Sequence, residues 1–79
     1  MDIDLSILGQ PPDVYDIYER SIREEYSWVP AAAYVTGRSD ILRSFLSRPR
    51  LYFTERFEAM YGLQAKDNLR RALSALEMQ

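Results

Sequence analysis

Prolines divide this chain into three segments, and each segment repeats apolar residues with the period of an α-helix. The divisions lie at Pro11 and Pro12, at Pro30 and at Pro49. Proline fits the first turn of a helix, where its missing N–H has no intrahelical partner, and it ends a helix that reaches it. Within the segments, apolar residues recur at three- and four-residue steps. The pattern predicts an all-α protein, a small bundle of three main helices preceded by a short N-terminal turn or helix.

The first main helix is predicted to begin at the two prolines and to stop before Pro30. Its apolar stripe consists of Val14, Ile17, Tyr18, Ile22 and Tyr26. Glu19 and Arg23 are four residues apart in the order that favours an ion pair along one helix.

The second main helix is predicted to open at Pro30 and to end at Pro49. Gly37 interrupts it, and Ser39 could cap a helix that restarts after a kink near residues 36–39.

The third main helix is predicted to run from Glu55 to Glu77, about 34 Å at 1.5 Å per residue, with Thr54 as its N-cap. It is the longest element and the expected spine of the bundle. Its stripe includes Leu69, whereas Lys66 belongs to a face expected to be solvated. Before the first proline, residues 3–8 form either a helical turn closed by Gly9 or an extended lead-in.

The residue types that are missing limit the chemistry of the chain more than its charge does. Its 79 residues, expected to form a single domain over 1–79, contain no histidine and no cysteine. Histidine- and cysteine-based catalysis and thiolate metal sites are therefore excluded within one copy.

A net charge of −2 offers no general attraction to nucleic acid or to an anionic membrane. With neither a signal peptide nor a bilayer-spanning run, a cytoplasmic protein is the expectation.

Two groups of charged residues are candidate binding sites. Asp2 and Asp4 could ligate a hard cation, but their spacing alone favours a charged N-terminal cap on residues 5–8. Arg38, Arg48 and Arg50 are candidate phosphate contacts, because the guanidinium fork matches phosphate oxygens. The alternative is that these arginines solvate the surface and complement the helix dipole.

The order and spacing of several short pieces resemble a known family. The pieces are DIDLSILG at 2–9, Tyr15 and Tyr18, IREEYSWVP at 22–30, Gly37-Arg38, Ile41-Leu42, Phe45-Leu46, Arg48-Pro49, Leu51-Tyr52, Thr54, Ala65 and Asn68-Leu69. Together they cover about residues 2–76. This series resembles the C-terminal part of the predicted metal-dependent phosphohydrolases of the HD superfamily.

The resemblance implies an all-helical fold and a divalent metal that activates water for attack on a phosphoester. The family's metal ligands are a histidine, a His-Asp pair and a later aspartate. Of these ligands, only the later aspartate can lie in this chain. Asp4 is the better match for it and Asp2 is the alternative. The histidine and the His-Asp pair would have to come from a partner or from a missing segment. One carboxylate cannot hold a catalytic metal, so no activity and no cofactor are expected for this chain alone.

Beside a nucleotide- or phosphate-binding accessory that would use Arg38, Arg48 and Arg50, two functional hypotheses follow. In the first, the chain is a truncated phosphohydrolase-like helical domain that is catalytically incompetent alone. In the second, it is a non-enzymatic helical interaction module. Both predict an exposed apolar face covered by a second copy in a homodimer or by a partner chain, with the long third helix at the interface. The alternative is a monomer in which the N-terminal segment folds over that stripe.

Overall fold

The computed structural model describes residues 5–52 and 54–78. A 3₁₀ helix spans Leu5–Gly9. Three α-helices follow: α1 is Pro12–Glu25, α2 is Ala31–Leu46 and α3 is Glu55–Glu77. The predicted all-α bundle is confirmed over the described residues, none of which lies in a strand.

Helix α3 is the spine of the bundle, as predicted. The 3₁₀ helix and α2 both pack along it, and α1 touches α3 and the 3₁₀ helix. Helices α1 and α2, both wholly within the described residues, approach each other through side chains only, since no pair of their Cα atoms lies within 8 Å. The separation leaves open spaces on both sides of α1.

The start of α3 follows the sequence prediction closely. Its first residue is Glu55, and the Thr54 hydroxyl accepts a hydrogen bond from the backbone N–H of Phe57 at 3.2 Å. The carboxylate of Glu58 also accepts from the backbone N–H groups of Leu51 and Tyr52, at 3.0 and 2.9 Å. Glu58 therefore fixes the connector between α2 and α3 to the first turn of α3.

Helix α2 runs without interruption through Gly37, so the helix does not restart at Ser39. Ser39 is buried in the middle of the helix instead of capping one. The helix ends at Leu46, and Lys66 of α3 donates to the backbone carbonyls of Leu46 and Arg48 at 3.0 and 2.6 Å. The expectation that Lys66 lies on a plain solvated face is wrong, because its ammonium group caps α2.

Gly9 lies inside the 3₁₀ helix and does not form a left-handed cap, because no described glycine has a positive φ. A Cβ atom at Gly9 would lie 2.5 Å from the Cβ of Tyr61 and 3.0 Å from its carbonyl oxygen. A glycine is needed here because the backbone of the 3₁₀ helix comes this close to α3. The N-terminal segment thus folds over the middle of α3, as the monomer alternative supposed.

The core forms where the 3₁₀ helix, α1 and α2 meet α3. Its buried apolar members are Leu8, Tyr15, Tyr34, Leu42, Phe45, Leu51, Tyr52, Ala65, Leu69 and Leu76. On α1 the buried residue is Tyr15, whereas Val14 and Ile17 are exposed. The predicted stripe of α1 is therefore wrong at these two positions and at Tyr26, which is also exposed, whereas Tyr15, Tyr18 and Ile22 face the core.

Candidate functional site

A network of polar side chains spans the gap between α1 and α2. Arg38 of α2 donates from Nε to Glu19 Oε2 at 3.2 Å and from Nη2 to Glu19 Oε1 at 2.5 Å. The hydroxyl of Tyr15 donates to the same Oε1 at 2.5 Å. The Arg38 and Glu19 side chains are only 9% and 16% exposed, so this is a mostly buried, bidentate ion pair.

Burial and the Glu19 carboxylate shift the proton equilibria of this network. Burial raises the pKa of Tyr15 far above its ordinary value, and the neighbouring Glu19 charge raises it further. Tyr34 has its pKa raised by the same two causes. Burial lowers the pKa of Arg38, but the hydrogen bonds and charge of Glu19 outweigh burial, and the net pKa is raised. The network therefore combines a protonated phenol with the Arg38–Glu19 ion pair, and its buried polar side-chain atoms all have hydrogen-bond partners.

An open cleft of about 540 Å³ lies between α1 and α3. Its α1 wall carries four charged residues at helical spacing: Asp16, Glu19, Arg20 and Arg23. Its α3 wall consists of Arg71, Ala72, Ala75 and Leu76, and Tyr34 of α2 completes the lining. Alanine side chains are too short to fill the space between the two helices, so the cleft stays open.

The charges in this cleft are only partly compensated. Arg71 binds Asp16 at 2.6 Å and also contacts Asp67 at 3.4 Å. Glu19 is held by Arg38. Arg23 lies with its guanidinium carbon 4.5 Å from the centre of the Tyr34 ring and donates to the carbonyl of Tyr26. The predicted pair of Glu19 with Arg23 is therefore replaced by cross-helix contacts of each residue.

A second open space, of about 520 Å³, lies on the other side of α1. Most of its lining is apolar: Tyr18, Ile22, Tyr26, Val29, Ala33, Tyr34, Gly37 and Ile41, with Glu25 and Arg38. Trp28, in the turn beside it, is 77% exposed, and its ring meets that of Tyr26 in a tilted arrangement at 6.2 Å.

Asn68 is the buried polar residue of α3, and it ties the N-terminal segment to this helix. Its Nδ2 donates to the carbonyls of Leu8 and Gln10, each at 2.8 Å. Its Oδ1 accepts from Gln64 at 3.0 Å and from Arg71 at 3.1 Å. The amide therefore links the 3₁₀ helix to the arginine that lines the cleft.

The predicted phosphate-binding arginines do not form one site. Arg38 is buried against Glu19, whereas Arg48 is exposed with its guanidinium carbon 5.2 Å from the centre of the Phe45 ring. Arg50 is exposed in the connector after α2. Ten residues separate Arg38 from Arg48, about 12 Å along the helical part alone.

The predicted metal ligands Asp4 and Asp2 lie outside the described residues. Within residues 5–52 and 54–78, no three histidine, cysteine, aspartate or glutamate side chains are grouped as a metal site would require. No helix in this part of the chain combines the length and apolar character needed to cross a bilayer.

Three large apolar side chains on the first half of α3 form an exposed surface, here called the α3 apolar face. Phe57, Met60 and Leu63 are 49%, 56% and 88% exposed. Phe57 stacks on Tyr61 at 5.9 Å, and Tyr61 in turn contacts Tyr52 at the same distance. The two halves of the predicted α3 stripe therefore differ in burial. The second half packs into the core, whereas in the first half the N-terminal segment covers only Tyr61.

The described residues form a small helical bundle with one arginine-lined cleft and one exposed apolar face. Comparisons with protein-family models, with curated proteins and with solved structures give no match.

Proposed function

We propose that this chain is the C-terminal helical part of an HD-superfamily phosphohydrolase-like protein and that it does not catalyse a reaction alone. In this proposal it docks on helices that carry a histidine and a His-Asp pair, and Asp4 supplies the last ligand of a divalent metal. The observation that carries the docking step is the α3 apolar face. Exposed apolar clusters of this kind on a soluble bundle mark interfaces with another helical element.

The arrangement of the N-terminal segment supports this proposal. Asn68 and the close approach of Gly9 to Tyr61 fix the 3₁₀ helix against α3. Within the described residues, the 3₁₀ helix therefore has a defined position on α3. The α3 apolar face lies on the same half of α3 as Tyr61, so helices docking there would approach the N-terminal segment.

The test joins this chain to the segment encoded directly upstream of it, provided that segment contains a histidine and a His-Asp pair. The joined protein should hydrolyse p-nitrophenyl phosphate in the presence of Mn²⁺, and chelation should abolish the activity. Asp4→Ala should remove the activity, whereas Asp2→Ala, the matched control, should retain it. An upstream segment without these ligands, or a joined protein without metal-dependent hydrolysis, would contradict the proposal.

The second candidate function is a helical interaction module that pairs with a copy of itself. Trp28 and Met78, 77% and 86% exposed, favour it because they are further exposed apolar side chains outside the α3 apolar face. A twofold dimer buries one self-complementary patch twice and so covers such a surface economically. Self-association that persists in the joined protein would favour this second function, and self-association lost on joining would favour the first.

A further inference from the structure

The cleft between α1 and α3 contains two arginines that form no ion pair with a carboxylate of the described residues. Within the described residues, ion pairs join Arg38 to Glu19, Arg43 to Asp40 and Glu77, and Arg71 to Asp16 and Asp67. Arg20 and Arg23 lie in the cleft and take part in none of these described pairs. The two carboxylates that line the cleft, Asp16 and Glu19, are already bound by other arginines. The charged residues that line the cleft are three arginines and two carboxylates, so the lining carries a net charge of +1.

These two arginines are presented on one face of a helix. Arg20 and Arg23 are three residues apart on α1, a spacing that places side chains side by side. Arg23 is held in position by the Tyr34 ring and by the carbonyl of Tyr26. One Arg23 guanidinium nitrogen is thereby committed, whereas its Nε and Nη2 groups make no described hydrogen bond. Two adjacent guanidinium groups match the charge and the oxygen spacing of a doubly charged oxyanion.

The opposite wall of the cleft is apolar. Ala72, Ala75 and Leu76 of α3 line it, next to the ring of Tyr34. Arg71 closes one end, but its Nη1 and Nη2 groups are occupied by Asp16, Asp67, Asn68 and the carbonyl of Pro12. A volume of about 540 Å³ is within the range of small-molecule sites, roughly 300–1,000 Å³. The space therefore suits an anionic group attached to a flat, apolar body.

We propose that this cleft binds a small organic dianion, with Arg20 and Arg23 contacting the oxyanion and with Tyr34, Ala75 and Leu76 contacting the apolar body. A phosphate monoester and an aromatic dicarboxylate are two sources of this chemistry. The site needs no metal and does not depend on the docking of the α3 apolar face. Among the α3 residues that line the cleft, Arg71 is the nearest in sequence to the α3 apolar face. It lies eight residues beyond Leu63, about 12 Å along the helix.

The test is a titration of the isolated chain, without metal, followed by ¹H–¹⁵N NMR. The probes are phenyl phosphate, phthalate, benzoate and benzyl alcohol. Saturable shifts of amides lining the cleft are expected with phenyl phosphate or phthalate, and benzoate should bind at least tenfold more weakly. Benzyl alcohol should give no saturable shift. Binding of phenyl phosphate without binding of phthalate would identify a phosphate-selective site. Comparable binding of both would identify a site for dianions in general.

Three matched variants separate the cleft from general electrostatic attraction. Arg20→Gln and Arg23→Gln should each weaken binding of the better dianion at least tenfold. Arg70→Gln changes the same charge on an exposed residue of α3 outside the cleft lining, and it should change the affinity less than twofold. Circular dichroism of each variant checks that the fold is retained, and the exposed Arg20 is the position least coupled to the core. Equal weakening by all three variants, or no saturable shift with either dianion, would overturn the proposal.

Discussion

Arg38 of α2 donates two hydrogen bonds to the carboxylate of Glu19 on α1, and this ion pair spans two helices whose backbones do not touch. The bidentate geometry satisfies both carboxylate oxygens, and Tyr15 adds a third donor. Because α1 and α2 share no backbone contact, these side chains link the two helices directly, whereas α1 also packs against α3 and the 3₁₀ helix. The cleft lies on one side of α1 and the apolar space on the other.

Breaking this pair should destabilise the protein far more than removing it entirely. Arg38→Met leaves a mostly buried carboxylate without its cation and should lower the free energy of unfolding by about 3 kcal/mol. Adding Glu19→Leu should restore at least half of that loss. Arg43→Met is the matched control on α2, since its ion pairs are exposed and worth less than about 1 kcal/mol. Urea unfolding measures the free energy of unfolding of the three variants and of the unchanged protein. Equal losses of stability for Arg38→Met and Arg43→Met would show that the Arg38–Glu19 pair stabilises the fold no more than an exposed pair does.

The raised pKa of Tyr15 predicts a loss of stability in alkali. The folded state retains the phenolic proton that the unfolded chain releases above its ordinary pKa of about 10. The unfolded state then binds fewer protons, so the free energy of unfolding is unaffected by this group below pH 9 and falls as the pH rises past 10. Tyr15→Phe should reduce this fall, whereas Tyr26→Phe, at a more exposed ring, should not. Urea unfolding at pH 8.0 and 10.5 measures the difference, and identical falls in the two variants would contradict the assignment.

Asn68 should be one of the most sensitive positions in the chain. Asn68→Leu removes the donors to the carbonyls of Leu8 and Gln10 and should cost about 2–3 kcal/mol. Hydrogen exchange should also accelerate in residues 6–10, because the 3₁₀ helix loses its tie to α3. Asp67→Ala, at the neighbouring exposed position, should cost less than about 1 kcal/mol. A silent Asn68→Leu variant would mean that the N-terminal segment is held by other contacts.

Two glycines should respond to the same substitution with opposite signs. Gly9→Ala places a methyl group 2.5 Å from the Cβ of Tyr61, so the 3₁₀ helix must move away, at a cost of about 1–3 kcal/mol. Gly37 lies in the interior of α2, and no described atom lies within 4 Å of an added Cβ. Gly37→Ala should therefore stabilise the protein by about 0.5–1 kcal/mol through helix propensity. Thermal unfolding measures both, and destabilisation by Gly37→Ala would reveal a contact there.

Local signals in the sequence predict most of this fold. Proline stops, the Thr54 cap and the period of the α3 stripe give the three helices with boundaries close to those observed. Periodicity alone does not tell which of two adjacent stripes faces the core. On α1 Tyr15 is buried whereas Val14 and Ile17 are exposed. The Tyr15 hydroxyl donates to Glu19, which is itself paired with Arg38 of α2, and this cross-helix partner is not visible in the local period.

The candidate site is less accessible from the sequence, because its contacts join distant residues. Glu19 and Arg38 are nineteen residues apart, and Lys66 reaches a carbonyl twenty residues away. The partner of each side chain depends on how the helices pack against one another. A local sequence pattern does not predict that packing. Asn68 is different, since a polar residue within the apolar series Ala65, Leu69 and Ala72 is itself a signal of a buried hydrogen-bonding role.

If the α3 apolar face is a docking surface, as proposed, a second copy should cover it when no other helical partner is present. Sedimentation equilibrium of the isolated chain from 1 to 100 µM tests it most directly. The expected result is a rise in mass from 9.3 kDa toward twice that value. Leu63→Asp should weaken association at least tenfold, whereas Ser74→Asp, the same added charge at an exposed position in the second half of α3, should not. A single species of 9.3 kDa over the whole concentration range would contradict the claim.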